Sequence, residues 1–296
     1  MKRFYVLLTL SLLLVLLCCS CSVNVPDPTD IQTEPTILIT EPAMIISAAT
    51  EPSAQINSTD LAEPEVSSLG EPSGSRLECY YSGTYDDYLN YYIHIPENAV
   101  EGMPLIVYLH GDGEVNDPES LLIGGVSNFA INAYGESFPF ILLEPNTRVD
   151  SWINGNIPEL LFELINRVAV CYNVDMDKII LTGHSRGAIG VWDMISTYGG
   201  FFSAAVPVSS PHQKDHIDYL KAAEVPVWTF AGDIGSTERW YHKYLAQNVD
   251  QISVSGGFGK FTVLKNCDHS DAKVAAYVKE TFDWMLAQRR GVIPEE

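Results

Sequence analysis

One segment constrains this chain more than any other. The apolar run Lys178-Ile179-Ile180-Leu181-Thr182 leads straight into Gly183-His184-Ser185-Arg186-Gly187, and that passes directly into Ala188-Ile189-Gly190-Val191-Trp192. A serine between glycines at a strand-to-helix junction sits on a tight turn, where the glycines remove side chains that would clash and the hydroxyl stands exposed at a helix N-terminus. Ser185 therefore reads as a nucleophile. A glycine-rich surface turn can carry the same letters, but not with a buried strand before it and a helix after it.

The rest of residues 77–296 repeats that alternation. Strand-like runs lie at 90–95, 104–110, 138–143, 178–182, 203–208, 225–230 and 260–264, most of them continuously apolar, as strands buried on both faces of a parallel sheet should be. Helical patterns separate them at 118–133, 157–171, 186–197, 213–222, 237–248 and 271–289. The pattern predicts one α/β domain with a mostly parallel central sheet, helices on both faces, and a ligand site beyond the carboxyl ends of the strands.

A serine nucleophile needs a base to take its proton and a carboxylate to orient that base, in the order Ser, acid, His in this kind of fold. His269, in the polar turn Asn266-Cys267-Asp268-His269-Ser270, follows the last strand; His212, His216 and His242 fall in surface segments. The acid belongs after the strand at 225–230, in Ala231-Gly232-Asp233-Ile234-Gly235-Ser236-Thr237-Glu238. Asp233 is nearest that strand end and is the expected acid; Glu238 opens the next helix, where it could instead complement the helix dipole. Oxyanion donors are expected from the backbone N–H of Arg186 and, in the turn His110-Gly111-Asp112-Gly113, from that of Asp112.

The chain begins Met1-Lys2-Arg3 and continues with an apolar run over residues 4–17, too short to span a membrane, which reads as a secretory signal over residues 1–21. Its end, Cys18-Cys19-Ser20-Cys21, resembles the lipobox of bacterial lipoproteins, with Cys21 as the expected lipidated residue and Cys19 an open alternative; a plain cleaved signal is the competing reading. Residues 22–76 are rich in Pro, Thr, Ser and Glu, with Glu-Pro steps at Glu34, Glu41, Glu51, Glu63 and Glu71, and are expected to form an extended disordered linker.

Net charge is −21 overall: +2 over residues 1–21, −8 over 22–76 and −15 over 77–296. Such acidity argues against nucleic acid and against direct contact with anionic membranes, leaving a lipid anchor as the only expected membrane link. Residues 77–296 keep Cys79, Cys171 and Cys267 without metal-ligand spacing, so buried thiols, no metal and no cofactor are expected.

Taken together, Ile93-His94-Ile95-Pro96-Glu97, Pro104 to Gly111, Glu144-Pro145 with Trp152, Tyr172-Asn173-Val174-Asp175, the Ser185 turn with Trp192, Val225-Pro226-Val227-Trp228 and Phe282-Asp283-Trp284 resemble the extracellular esterase branch of the α/β-hydrolases. That branch includes polyhydroxybutyrate depolymerases and feruloyl or acetylxylan esterases. The resemblance implies an α/β-hydrolase fold and hydrolysis of small or polymer-attached carboxylic esters through an acyl-enzyme on Ser185, at the bacterial surface or secreted. It also places Trp152 at the mouth of the site as a substrate platform or, equally, as a packing residue.

Two departures stand out. The family's Gly-x-x-Asp, counted from Gly232, falls on Gly235, and Arg186 stands where relatives often carry methionine. A basic residue there suits an anionic substrate, or simply reaches solvent. A prolyl-oligopeptidase-like peptidase and a non-catalytic binding protein on the same fold are the competing functional readings.

Overall fold

A computed structural model describes residues 74–212 and 217–294. The expected signal, Cys19, Cys21, His216 and most of the expected linker lie outside the described residues. The expected linker boundary at Arg76 is earlier in the structure, because strand β1 (Gly74–Ser82) already includes residues 74–76.

Eight strands form one sheet in the order β1-β2-β4-β3-β5-β6-β7-β8. They are β1, β2 (Asp87–Ile95), β3 (Leu105–Leu109), β4 (Ile141–Asn146), β5 (Ile179–His184), β6 (Ala204–Val208), β7 (Val227–Gly232) and β8 (Gly259–Leu264). β1 with β2 and β2 with β4 are antiparallel; every other pair is parallel. Because successive side chains in a strand point to opposite faces, the all-apolar β3 feeds two cores. Leu105, Val107 and Leu109 join one cluster, and Ile106 and Tyr108 join the other.

Among the described residues eight α-helices flank the sheet: α1 (Leu121–Gly124), α2 (Ser127–Tyr134), α3 (Ile157–Cys171), α4 (Arg186–Tyr198), α5 (Tyr219–Ala222), α6 (Ser236–Val254), α7 (His269–Ala276) and α8 (Lys279–Ala287). α3 fills its predicted span, while the pattern at 118–133 is broken between α1 and α2 and the one at 271–289 between α7 and α8. The second break occurs at Tyr277, whose hydroxyl turns inward and donates to Thr182 Oγ1 at 2.8 Å, while the Thr182 hydroxyl donates to the Val206 carbonyl at 2.6 Å. Burying a tyrosine tip with a partner outweighs continuing the helix. Of the helix expected at 213–222 only α5 is seen, residues 213–216 lying outside the described residues.

β1 had no counterpart in the sequence reading. Its side chains alternate between exposed and half-buried. On the covered side Tyr80 donates to Glu163 of α3 at 3.1 Å and Arg76 to the Tyr172 hydroxyl at 2.8 Å. Among the described residues no helix is long and apolar enough to cross a membrane, and no group of three or more His, Cys, Asp or Glu is placed to hold a metal.

Candidate active site

Ser185 joins β5 to α4 as the residue that caps the helix, with φ 57° and ψ −117°, left-handed backbone that a serine adopts only under constraint. Its neighbours supply the constraint. The Ser185 amide donates to the Val208 carbonyl at 2.9 Å, and a Cβ on Gly187 would lie 1.8 Å from the Leu109 carbonyl oxygen. A Cβ on Gly183 would lie 2.6 Å from the Gly187 backbone, so neither glycine can carry a side chain.

His269 is the first residue of α7, fixed there by a reciprocal cap in which Asp268 accepts from the amides of Ser270 and Asp271. Its Nε2 lies 2.8 Å from Ser185 Oγ and its Nδ1 lies 2.6 Å from Glu238 Oε1. The other oxygen of Glu238 accepts from the Gly232 amide at 2.6 Å and from Ser209 Oγ at 3.1 Å. This carboxylate is 1% exposed and sits in the first turn of α6, where the helix dipole favours an anion. An acceptor-only carboxylate on Nδ1 fixes the proton there and leaves Nε2 free to accept.

The expected acid, Asp233, is elsewhere. Its Oδ1 accepts from the Asn266 amide at 2.7 Å and its Oδ2 faces Lys265 Nζ at 3.6 Å. Asp233 therefore ties the end of β7 to the turn that carries His269, while Glu238 holds the imidazole. The difference has a simple cause: Gly235 carries no carboxylate, and Glu238, one helical turn further on, is long enough to reach both the Gly232 amide of β7 and His269 Nδ1.

His184, inside the Ser185 motif, was not singled out from the sequence. Burial lowers its pKa to about 3, with the adjacent His269 ring acting in the same direction. Kept neutral, it shares a 2.9 Å hydrogen bond between its Nε2 and the His269 carbonyl. The carbonyl can only accept, so Nε2 carries the proton and the Ser185 turn grips the backbone at His269.

The turn expected to hold the second oxyanion donor lies against Ser185, since a Cβ on Gly111 would be 3.5 Å from Ser185 Cβ. His110 is fully buried and its pKa is lowered by that burial. Its Nε2 accepts from the Thr147 amide at 3.1 Å, so Nδ1 carries the proton and donates to the Gly111 carbonyl at 2.6 Å. Two basic side chains brace the turn from outside. Arg186 grips Asp112 with Nε at 2.6 Å and a terminal nitrogen at 2.9 Å and also contacts Asp150; Lys273 of α7 meets Glu114 at 3.5 Å and the Gly124 carbonyl.

Arg186 is thus occupied by two carboxylates of its own chain, leaving it poorly placed to receive an anionic substrate. Trp152 is 1% exposed; its Nε1 donates to the His110 carbonyl at 2.9 Å and its ring meets His110 edge-on, so the platform role is replaced by packing. Gly190 makes room for it: a Cβ there would lie 2.6 Å from Trp152 Cβ. A cleft of about 270 Å³ opens beside α4, lined by residues 150–154, Arg186 and Ile189. Tyr241, one helical turn beyond Glu238, places its ring 6.2 Å from that of His269.

No family model matches this chain, and no curated protein matches it in sequence. Solved structures are similar to it. A thermostable esterase superposes with a TM-score of 0.64 at 20% identity, over 73% of this chain and 63% of that one, so the chain spans less than two thirds of that protein's length. A ferulic acid esterase gives 0.54 at 16% identity over 72% and 98% of the two chains. A fluorophosphonate-binding serine hydrolase of Staphylococcus aureus gives 0.56 at 17% over 73% and 99%. With its mostly parallel eight-stranded sheet, its flanking helices and these neighbours, the chain has the α/β-hydrolase fold.

Proposed function

We propose that this chain is a serine hydrolase that cleaves carboxylic esters through an acyl-enzyme on Ser185. The observation that carries the reading is the unbroken relay from Ser185 Oγ through His269 to the buried Glu238, at 2.8 and 2.6 Å. Ester-cleaving solved neighbours support the same reading at the level of fold.

In the first step Ser185 Oγ attacks the ester carbonyl while its proton moves to His269 Nε2. Glu238 keeps the imidazole in the accepting tautomer and stabilises the imidazolium that forms. The amides of Arg186 and Asp112 serve as oxyanion donors. His269 then returns the proton to the leaving alcohol, and a water activated by the same nitrogen releases the acid.

Release of nitrophenol from short-chain acyl nitrophenyl esters by wild type, lost in Ser185→Ala, tests this directly. Turnover of peptidyl anilides but not esters would point to a peptidase, and unchanged ester turnover in Ser185→Ala would refute the nucleophile. The location of the enzyme at the bacterial surface rests on the leader, with Cys21 or Cys19 bearing the lipid. Retention of a lipid-shifted mass on the N-terminal peptide, lost in Cys21→Ser, would assign it to Cys21.

A further inference from the structure

Well away from Ser185, three more residues are hydrogen-bonded in a chain. Ser75 Oγ lies 2.5 Å from His94 Nδ1, and His94 Nε2 lies 2.7 Å from Glu144 Oε2. We propose that they form a second nucleophilic serine site, which takes a small acyl group from an activated ester.

Sheet register builds the site. Ser75 of β1 is the direct cross-strand partner of His94 in β2, and His94 pairs with Leu142 of β4, two residues before Glu144 on the same face. Leu142 lies near the start of β4, so this site occupies the end of the sheet where the parallel strands begin. Ser185 stands at the opposite end, where β5 finishes.

Protonation follows from the partners. Glu144 is fully buried and accepts from the Val126 amide at 2.6 Å through its other oxygen. As an acceptor-only group it requires the proton on His94 Nε2, which leaves the Nδ1 lone pair facing the Ser75 hydroxyl. The two ring nitrogens are exchanged relative to the Ser185 relay, but either can act as a base. His94 is 3% exposed whereas Ser75 is exposed, so the base is sheltered and the nucleophile is open.

A cavity of about 150 Å³ opens on this hydroxyl. It is lined by Ser75, His94, Ile131, Phe138 and Ser127, the residue that opens α2. Ser127 brings the N-terminal end of α2 to the cavity wall, and the partial positive charge of that end favours the negative charge a carbonyl oxygen would collect there. The apolar wall admits a short acyl chain, and Glu97 and Glu136 on the rim oppose carboxylate-bearing substrates.

In the reaction, a bond forms between Ser75 Oγ and the acyl carbon as the hydroxyl proton passes to His94 Nδ1. The bond from that carbon to the leaving oxygen breaks, and the alcohol departs with the proton. Water then attacks the acyl carbon as its proton passes to His94 Nδ1; the bond to Ser75 Oγ breaks, the carboxylic acid leaves, and the proton returns from His94 to Ser75.

The test uses the full chain carrying Ser185→Ala, exposed to a biotinylated fluorophosphonate and mapped by peptide mass. Attack on phosphorus expels fluoride, and the adduct is expected on Ser75, absent when Ser75→Ala is added. His94→Gln should slow labelling on the order of 10²-fold, the loss of a general base. If that variant misfolds by circular dichroism, the pH profile of Ser75 labelling in the Ser185→Ala parent replaces it, and a rise with pH through one ionisation is expected.

No adduct on Ser75 under conditions that fully label wild-type Ser185, a folded His94→Gln variant labelled at the parent's rate, or a flat pH profile would overturn the proposal. Labelling of Ser185 in wild type reports separately on the function proposed above.

Discussion

Glu238→Gln is the sharpest perturbation of the proposed mechanism, because it changes one atom and almost no volume. In the variant the side-chain oxygen can keep the Gly232 and Ser209 contacts, at 2.6 and 3.1 Å in the wild type. The amide NH2 is then turned toward His269 Nδ1, where a carboxylate oxygen stood at 2.6 Å. A donor at that place selects the tautomer with the proton on Nε2, the nitrogen that must accept from Ser185. Wrong-tautomer variants of such relays lose about 10⁴ in kcat, equivalent to about 5 kcal/mol of transition-state stabilisation.

Asp233→Asn provides the contrast. It keeps an acceptor for the Asn266 amide and gives up only the 3.6 Å Lys265 pair, whose lysine is largely exposed, so activity should fall by less than about tenfold. Initial rates on a short acyl nitrophenyl ester, with thermal melts to confirm folding, measure both variants. A larger loss for Asp233→Asn, or a folded Glu238→Gln within tenfold of wild type, would refute the assignment of the acid.

Three further outcomes are expected. Gly187→Ala drives a methyl into the Leu109 carbonyl at a nominal 1.8 Å and should destabilise by more than about 3 kcal/mol, read from the denaturant midpoint; an unchanged midpoint would contradict the turn geometry. His184 has its pKa lowered in the folded chain, so the unfolded chain binds its proton first, and stability should fall as pH drops from about 6.5 toward 3. Denaturant midpoints across that range should decline less steeply in His184→Gln, which removes the titrating group; equal slopes would refute the linkage. Arg186→Met should lower kcat by up to about tenfold by freeing the Asp112 turn, leaving the preference between neutral and acidic acyl esters unchanged, because Arg186 is already held by Asp112 and Asp150. A selective loss of acidic esters would restore it as a substrate contact.

What was legible in the sequence divides along a physical line. The Ser185 turn is a local object: its glycines, its preceding strand and its helix are contiguous, and the steric reasons for each residue act within a few positions or against the adjacent β3. The buried parallel strands are legible too, because both faces are apolar and no phase information is needed. β1 is different. Half of it faces water, so its alternation carries Arg76, Glu78 and Tyr80 toward α3 and leaves Leu77 and Tyr81 exposed, a pattern that merges with the polar segment before it.

The same line runs through the site. Whether Asp233 or Glu238 meets His269 depends on how α6 starts after Gly235, a choice set by where the His269 turn lies in space. Trp152 is buried because Gly190, 38 positions later, leaves room for it, and nothing near residue 152 encodes that vacancy. Ser75, His94 and Glu144 extend the argument, since they meet only through the register of two antiparallel strand pairs. A relay of this kind has no contiguous motif, so it can be found only once the pairing of β1, β2 and β4 is known.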